Sequence, residues 1–274
     1  DNDYVNLTSA VTNSLVGQNK LTVEAWVKPN LGSNGRVIIG NYSTVGNNSM
    51  QFLLRVWQNQ YYQFFIGNGA VGTYTSVNSS IAPVNGAWTH VAGVWDGTVA
   101  AIYVNGIASG TINAALPSLP SFTAPVFIGG NTINENFSGP IDEVRIWTTA
   151  RTRCEINTYR NCEIPASTPG LLANYHFNQG FAAGSNPTVT VLNDALGNAF
   201  DGSLMTFALV SANSNWTRPG GVNTGSTTPM PAPSLTVLAN PSFTACGTSS
   251  GMTLTGYGAT SYTWTGGISN GTFF

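Results

Sequence analysis

The sequence predicts an all-β fold, a sandwich of two antiparallel sheets. Short runs rich in Val, Ile, Tyr, Phe and Trp recur along most of the 274 residues, bounded by turns containing Gly, Asn and Pro. Within several runs apolar and polar residues alternate, the period of a strand with one face on a core. Strands at this spacing, with turn signals between them, argue two packed sheets.

Residues 1–7 begin inside a strand pattern. Residues 22–27 alternate, with Val23, Ala25 and Val27 on one face, and Lys28-Pro29-Asn30 ends the run. Residues 36–40 form the next strand. Residues 51–57 and 61–66 flank Gln58-Asn59-Gln60, a hairpin turn. Asp96-Gly97 and Asn105-Gly106 tolerate positive φ and mark further tight hairpins. Residues 126–130 lead into residues 137–147, the stretch around which the chain is organised. There Val144 points in, Arg145 out and Ile146 in, a half-buried strand with one face in water. Residues 152–162 are the one helical candidate. Thr152 can cap it, Glu155 stands three residues on, and Ile156 and Tyr159 share a face. Residues 171–178 form another strand. Residues 217–233 are a linker by composition, and residues 234–274 read as short strands again.

Composition excludes several classes of function. Charged residues are 7% of the chain, against about 25% in ordinary soluble domains, so hydroxyls and amides make the surface, as in secreted β proteins. A net charge of −2 leaves no basic footprint for nucleic acid or anionic membrane. No apolar run approaches the roughly 20 residues of a membrane span. No signal peptide stands at the start, so the chain reads as mature or as a fragment. Of three cysteines, Cys154 and Cys162 are close together and Cys246 is distant. A Cys154–Cys162 disulfide suits an oxidising compartment if the segment bends, since eight residues of straight helix would separate them by about 12 Å. The alternative is a pair of buried thiols.

Three blocks carry a family resemblance. Gly139-Pro140-Ile141-Asp142-Glu143-Val144-Arg145-Ile146-Trp147 resembles the late strand of laminin-G-like, concanavalin A-like jelly rolls. Leu21-Thr22-Val23-Glu24-Ala25-Trp26-Val27 is similar to the early core strand of that family. Trp88 to Gly97, with Ile102-Tyr103-Val104-Asn105-Gly106, is similar to its central hairpin. The resemblance implies a jelly roll over residues 1–216, with Trp26, Trp88 and Trp95 as core residues. Asp194 to Gly202 resembles the segment that usually opens such a domain. Its late position implies either a permuted order, in which strands from 171–216 close the same sandwich, or the start of a second one; closure is favoured because no second copy of the core blocks follows. Cys246 and Trp264 in residues 234–274 resemble the front half of an Ig-like or PKD-like domain, a partial β-sandwich in which Cys246 pairs beyond Phe274. Such module arrays look like large surface proteins of Bacteroidetes-type bacteria.

Function rests on fewer residues. Asp142 and Glu143 are adjacent carboxylates at the mouth of a strand, in a chain with 11 acidic residues. On an alternating strand they face opposite ways, Glu143 toward solvent. Carboxylate oxygens with backbone carbonyls suit Ca²⁺. Asp142 with Asp3, and Asp194 with Asn198 and Asp201, are the oxygen-donor candidates, and the resemblance implies a structural Ca²⁺ bridging the strand aspartate Asp142 and the loop aspartate Asp194. Two-carboxylate hydrolysis needs a pair on one face, about 5 to 9 Å apart. No Glu-x-Asp-x-Glu pattern supplies it, and His90 and His176 read as packed histidines, so the chain reads as a non-enzyme. Trp57, Tyr61 and Tyr62 flank a hairpin carrying Gln58, Asn59 and Gln60, aromatic faces and amides that suit sugar rings; packing into the core is the alternative. The expectation is a secreted or cell-surface adhesion module. It binds an extracellular glycan or surface protein, with further domains of the same chain as neighbours. The rivals are a structural spacer or filament subunit, and an accessory domain of a polysaccharide-degrading enzyme.

Overall fold

The structure, a computed structural model, describes residues 2–32, 36–43, 49–68, 70, 72–131, 135–197, 200–210, 215–223, 225, 236–240 and 253–257. β1 (Tyr4–Asn6) is followed by helix α1 (Thr8–Leu15), then by β2 (Leu21–Val27), β3 (Arg36–Ser43), β4 (Ser49–Trp57), β5 (Tyr61–Gly67), β6 (Tyr74–Asn78), β7 (Thr89–Trp95), β8 (Val99–Val104) and β9 (Ile107–Asn113). β10 (Phe127–Ile128) and β11 (Ile141–Trp147) precede helix α2 (Arg153–Tyr159). β12 (Leu171–Tyr175), β13 (Val191–Leu192) and β14 (Gly202–Met205) follow.

Among the described residues, eight strands form one sheet in the order β13-β14-β1-β10-β3-β4-β5-β6, and six form the other in the order β12-β11-β2-β7-β8-β9. The pairs within both sheets are antiparallel. The strands after α2 are therefore built into the same two sheets as those before it. β15 (Thr236–Asn240) and β16 (Thr253–Tyr257) form a separate antiparallel pair. Cys246 and Trp264 lie outside the described residues.

Alternation along the strands fills the space between the sheets. Leu54, Val56, Phe64 and Ile66 of the large sheet share one buried cluster with Val23, Ala25, Val91, Val144 and Ile146 of the small one. Burying each such side chain contributes about 1.5–3 kcal/mol. Trp95 is fully buried and its indole N–H donates to the Ala114 carbonyl at 2.8 Å, so the polar atom is satisfied inside the core. At Gly93 a side chain would run into the Phe64 ring, so this position admits only glycine. Tight turns fall where expected, with positive φ at Gln58, Asn59, Asn105 and Gly106.

The structure corrects several expectations. β11 has no face in water: Arg145 is 1% exposed and Glu143 2%. Helix α2 and the loop after it cover that side, with Ile156 packing on Ala92 and Val94, and Ile164 on Trp147. Tyr62 is a core residue and not part of any ligand face. Helix α1 is an addition. Asn6 Oδ1 accepts from Thr8 N–H at 3.0 Å, and Val11 and Leu15, four apart, bury the helix against the core. Cys162 carries a free, buried thiol while Cys154 is disulfide-bonded, so the two are not joined to each other. The stretch read as a linker from residue 217 starts as part of the jelly roll, because Gly221 and Val222 donate to Asp142 and Gly225 donates to Glu163.

Candidate functional site

A register shift in β11 organises the site. Asp142 pairs with Trp26 and Arg145 with Glu24, three steps on β11 against two on β2. This β-bulge places one extra residue, and Glu143 takes φ +47° within it. The consequence overturns simple alternation. Asp142, Glu143 and Arg145 all lie on the outer face of the small sheet, beside Glu24, His90 and Asn174.

Arg145 is the hub of that face. It contacts Glu24 at 3.5 Å and Glu143 at 2.8 Å, and donates to the carbonyls of Tyr159 at 3.3 Å and Cys162 at 2.5 Å. Those carbonyls belong to the end of α2 and the turn after it, so one guanidinium pins the helix to the sheet. Trp26 adds a bond to the Arg160 carbonyl, and Trp147 donates to Glu24. The capping box that starts α2 is closed in both directions between Thr152 and Glu155. Burial would raise the Glu24 pKa, but the His90 contact at 3.2 Å and the Arg145 charge together hold it at about 2. Burial pushes His90 down. Burial also acts to lower His176, yet Glu143, 2.7 Å from its Nδ1, raises it.

Asp142 lies on the same face under different control. Its Oδ2 accepts from Gly221 N–H at 2.7 Å and Val222 N–H at 3.2 Å, and its Oδ1 from Glu143 N–H at 3.0 Å. Burial, and then the Glu143 charge, push it up to about 6 despite those amides. The segment that supplies them packs Gly221 on Trp26 with no room for a side chain. It also walls a cavity of about 920 Å³ at one end of the sandwich, where the starts of β1, β3 and β11 meet the ends of β10 and β12. Aromatic side chains of Tyr4, Trp88, Phe177, Phe181 and Trp216 line it, together with Asn2, Asn30, Asn136, Asn178 and Asn215. Asp3, Asp142, Arg36 and Arg218 also reach the wall, two charges of each sign.

Among the described residues, Asp3, Asp142, Asp194 and Asp201 do not gather their oxygens around one point. Asp142 accepts from three backbone amides, which only partly offset its burial and the like charge of Glu143. Asp3 accepts from Asn215 at 2.6 Å. Asp194 accepts from the Asn174 amide at 2.8 Å, and its own N–H donates to Asp201 at 2.8 Å, so these two share a loop beyond β12. Asn198 lies outside the described residues. Trp57 and Tyr61 pair across β4 and β5 on the outer face of the large sheet, where the Arg55 guanidinium stacks 3.9 Å from the Trp57 ring. Sequence reasoning missed the end cavity. Its walls come from segments as far apart as Asn2 and Val222, and Phe181, Asn178 and Trp216 lie in loops with no periodic signal.

Comparison with known proteins agrees with this architecture. A family model described as the concanavalin A-like lectin/glucanases superfamily, laminin-G type, matches residues 1–157. The chain belongs to that family. Pappalysin-1 of mouse is 27% identical over 99 residues, which cover 35% of this chain and 6% of that protein; the human protein matches to the same extent. The chain thus matches only a small part of the length of these relatives. Among solved structures, a Bacteroides ovatus protein described as carbohydrate-binding aligns with a TM-score of 0.57 at 21% identity, over 77% of this chain and 60% of that one. The CBM40 of a Ruminococcus gnavus sialidase aligns with a TM-score of 0.47 at 14% identity, over 56% of this chain and 90% of that one. The likeness to the Bacteroides ovatus protein is one of fold.

Proposed function

We propose that this jelly roll is a non-catalytic glycan-binding module of a secreted or cell-surface protein, and that the end cavity takes the sugar. The chemistry of the cavity wall carries the proposal. Sugars present apolar C–H faces and many hydroxyls, and a wall of aromatic rings and side-chain amides with balanced charge matches both. Trp88 lines this cavity, and its buried indole N–H has no acceptor among the described residues. The wall carboxylate Asp142 is held by three amides, and neighbouring Glu143 is held by Arg145 and His176. Neither is placed as a free acid or base, which supports binding without hydrolysis.

A glycan array probed with the isolated chain tests this. Binding of a defined sugar class is expected, lost in Phe181→Ala and kept in Trp57→Ala. Binding lost in Trp57→Ala and kept in Phe181→Ala would move the site to the outer face of the large sheet. No binding across the array would end the reading. A structural Ca²⁺ remains part of the proposal at the Asp194–Asp201 loop, where two carboxylates are neighbours. A melting temperature unchanged by EGTA, with no calcium in the purified chain, would remove it.

A further inference from the structure

We propose that Glu143, Glu163 and His176 form a binding site for a first-row transition-metal dication, with Zn²⁺ as the test ion. Among the described residues, this is the one group of three His, Cys, Asp or Glu side chains whose ligand atoms all lie within 4.8 Å of one another. One imidazole with two carboxylates suits Zn²⁺ and its neighbours in the series, and disfavours Ca²⁺ and Mg²⁺, which take oxygen alone.

Each ligand is held from behind, with one donor atom left toward the common centre. Glu143 Oε2 contacts Arg145 at 2.8 Å, which leaves Oε1. Glu163 Oε1 accepts from Asn178 at 2.6 Å and from Gly225 N–H at 2.9 Å, which leaves Oε2. His176 Nε2 lies 3.3 Å from the Asn174 amide, which leaves Nδ1, itself 2.7 Å from Glu143 Oε1. Partners behind each ligand are what metal sites use to fix ring orientation and ligand basicity. A tetrahedral ion with bonds of about 2.0–2.1 Å holds its ligand atoms roughly 3.3 Å apart. The His176–Glu143 contact therefore opens by about half an ångström as the metal replaces the shared proton.

Two further observations point to a cation. Glu24 and Glu143 are both buried and share Arg145, and Glu163 adds a third carboxylate beside them. A dication offsets that surplus of negative charge in a low-dielectric place. Asn174 is fully buried, and its Oδ1 has no donor among the described residues. A His176 that binds metal through Nδ1 carries its proton on Nε2 and needs an acceptor there. Turning the Asn174 amide end for end offers that oxygen, at the cost of its 3.1 Å bond to the Ile164 carbonyl. Entry is open, because Glu163 and His176 are only partly buried while Glu143 forms the floor.

The test uses the tag-free chain. Calorimetric titration with ZnCl₂ at pH 7.5 should show one saturable equivalent. His176→Ala and Glu163→Gln should each weaken it at least about tenfold, while Asp142→Asn keeps it. Should either variant fail to fold, diethylpyrocarbonate labelling of the parent decides. His90 is buried, so His176 should be the histidine modified, and Zn²⁺ should block its modification. Absence of saturable binding, equal affinity in the folded variants, or labelling of His176 unaffected by Zn²⁺ would each overturn the proposal.

Discussion

Glu24 and Asp142 are buried on one face of one sheet, two residue pairs apart along β2 and β11, yet their acidities diverge. Glu24 is held at about 2 and Asp142 is pushed to about 6. Desolvation acts in the same direction on both. The difference lies in the compensating partner. Glu24 meets a buried guanidinium and an imidazole, whereas Asp142 meets three backbone amides and the like charge of Glu143. A full charge in a low-dielectric site outweighs the burial cost, and a few amide dipoles beside a like charge do not.

Removing the guanidinium is the strongest way to break this contrast. Arg145→Met should cost about 3–5 kcal/mol, because Glu24 and Glu143 lose their charge partner and the Tyr159 and Cys162 carbonyls lose a donor. Urea denaturation at pH 7 measures this, and a loss under about 1 kcal/mol would refute the hub role of Arg145.

The two carboxylates should also respond to pH with opposite sign. The folded pKa of Glu24 is depressed, so its contribution is present above about 4.5 and is lost as pH falls toward about 2. The folded pKa of Asp142 is raised, so its ionisation costs stability from about pH 4 upward and the cost is complete above about 6. His90, which must stay neutral in the fold, also weakens the parent below its ordinary value of 6.5. Comparing variant with parent cancels that term. The stability of Asp142→Asn relative to the parent should therefore rise by on the order of 2 kcal/mol between pH 4 and pH 8. A flat difference would mean that the amides already compensate the charge.

Two smaller changes sharpen the comparison. Thr152→Ala removes the cap of α2, which covers Glu24, and should cost about 1 kcal/mol. It should leave the pH response of Asp142 unchanged in the same denaturation series. Phe181→Ala touches only the cavity rim, where the ring is 78% exposed, and should shift stability by less than about 0.5 kcal/mol. A larger shift would show that Phe181 supports the fold, and its use as a binding probe would fail.

The strands and the capped helix α2 were legible because each has a local signal: alternation, Asn-Gly or Asp-Gly turns, and Thr152 with Glu155. Helix α1 was not, since Thr, Ser and Asn dominate it and burial of Val11 and Leu15 decides its conformation. The outer face of β11 failed for another reason. One inserted residue reverses the expected side of Glu143, and a bulge defined by pairing with a strand 120 residues earlier leaves no mark in the local pattern. Pro and Gly near residue 220 gave a linker composition, yet those glycines are small so that the backbone can reach Asp142 and Trp26. The surroundings of Asp142 and Asp194 were not readable for the same reason: carboxylates can be counted in a sequence, but the groups facing them cannot.

The docking of residues 219–223 and 225 has a mechanical consequence. Tension applied to the chain directly after residue 225 is borne first by the Gly225–Glu163 bond and then by the two bonds to Asp142. Pulled from one end, such bonds load one after another, like a zip, whereas the ladders of the sheets share force among many bonds at once. A strap loaded this way should yield at lower force than the sheets and bare Asp142 and the cavity wall, a seam beside the cavity proposed to bind sugar; single-molecule pulling from an attachment just after residue 225 would show it as a step before the main unfolding event.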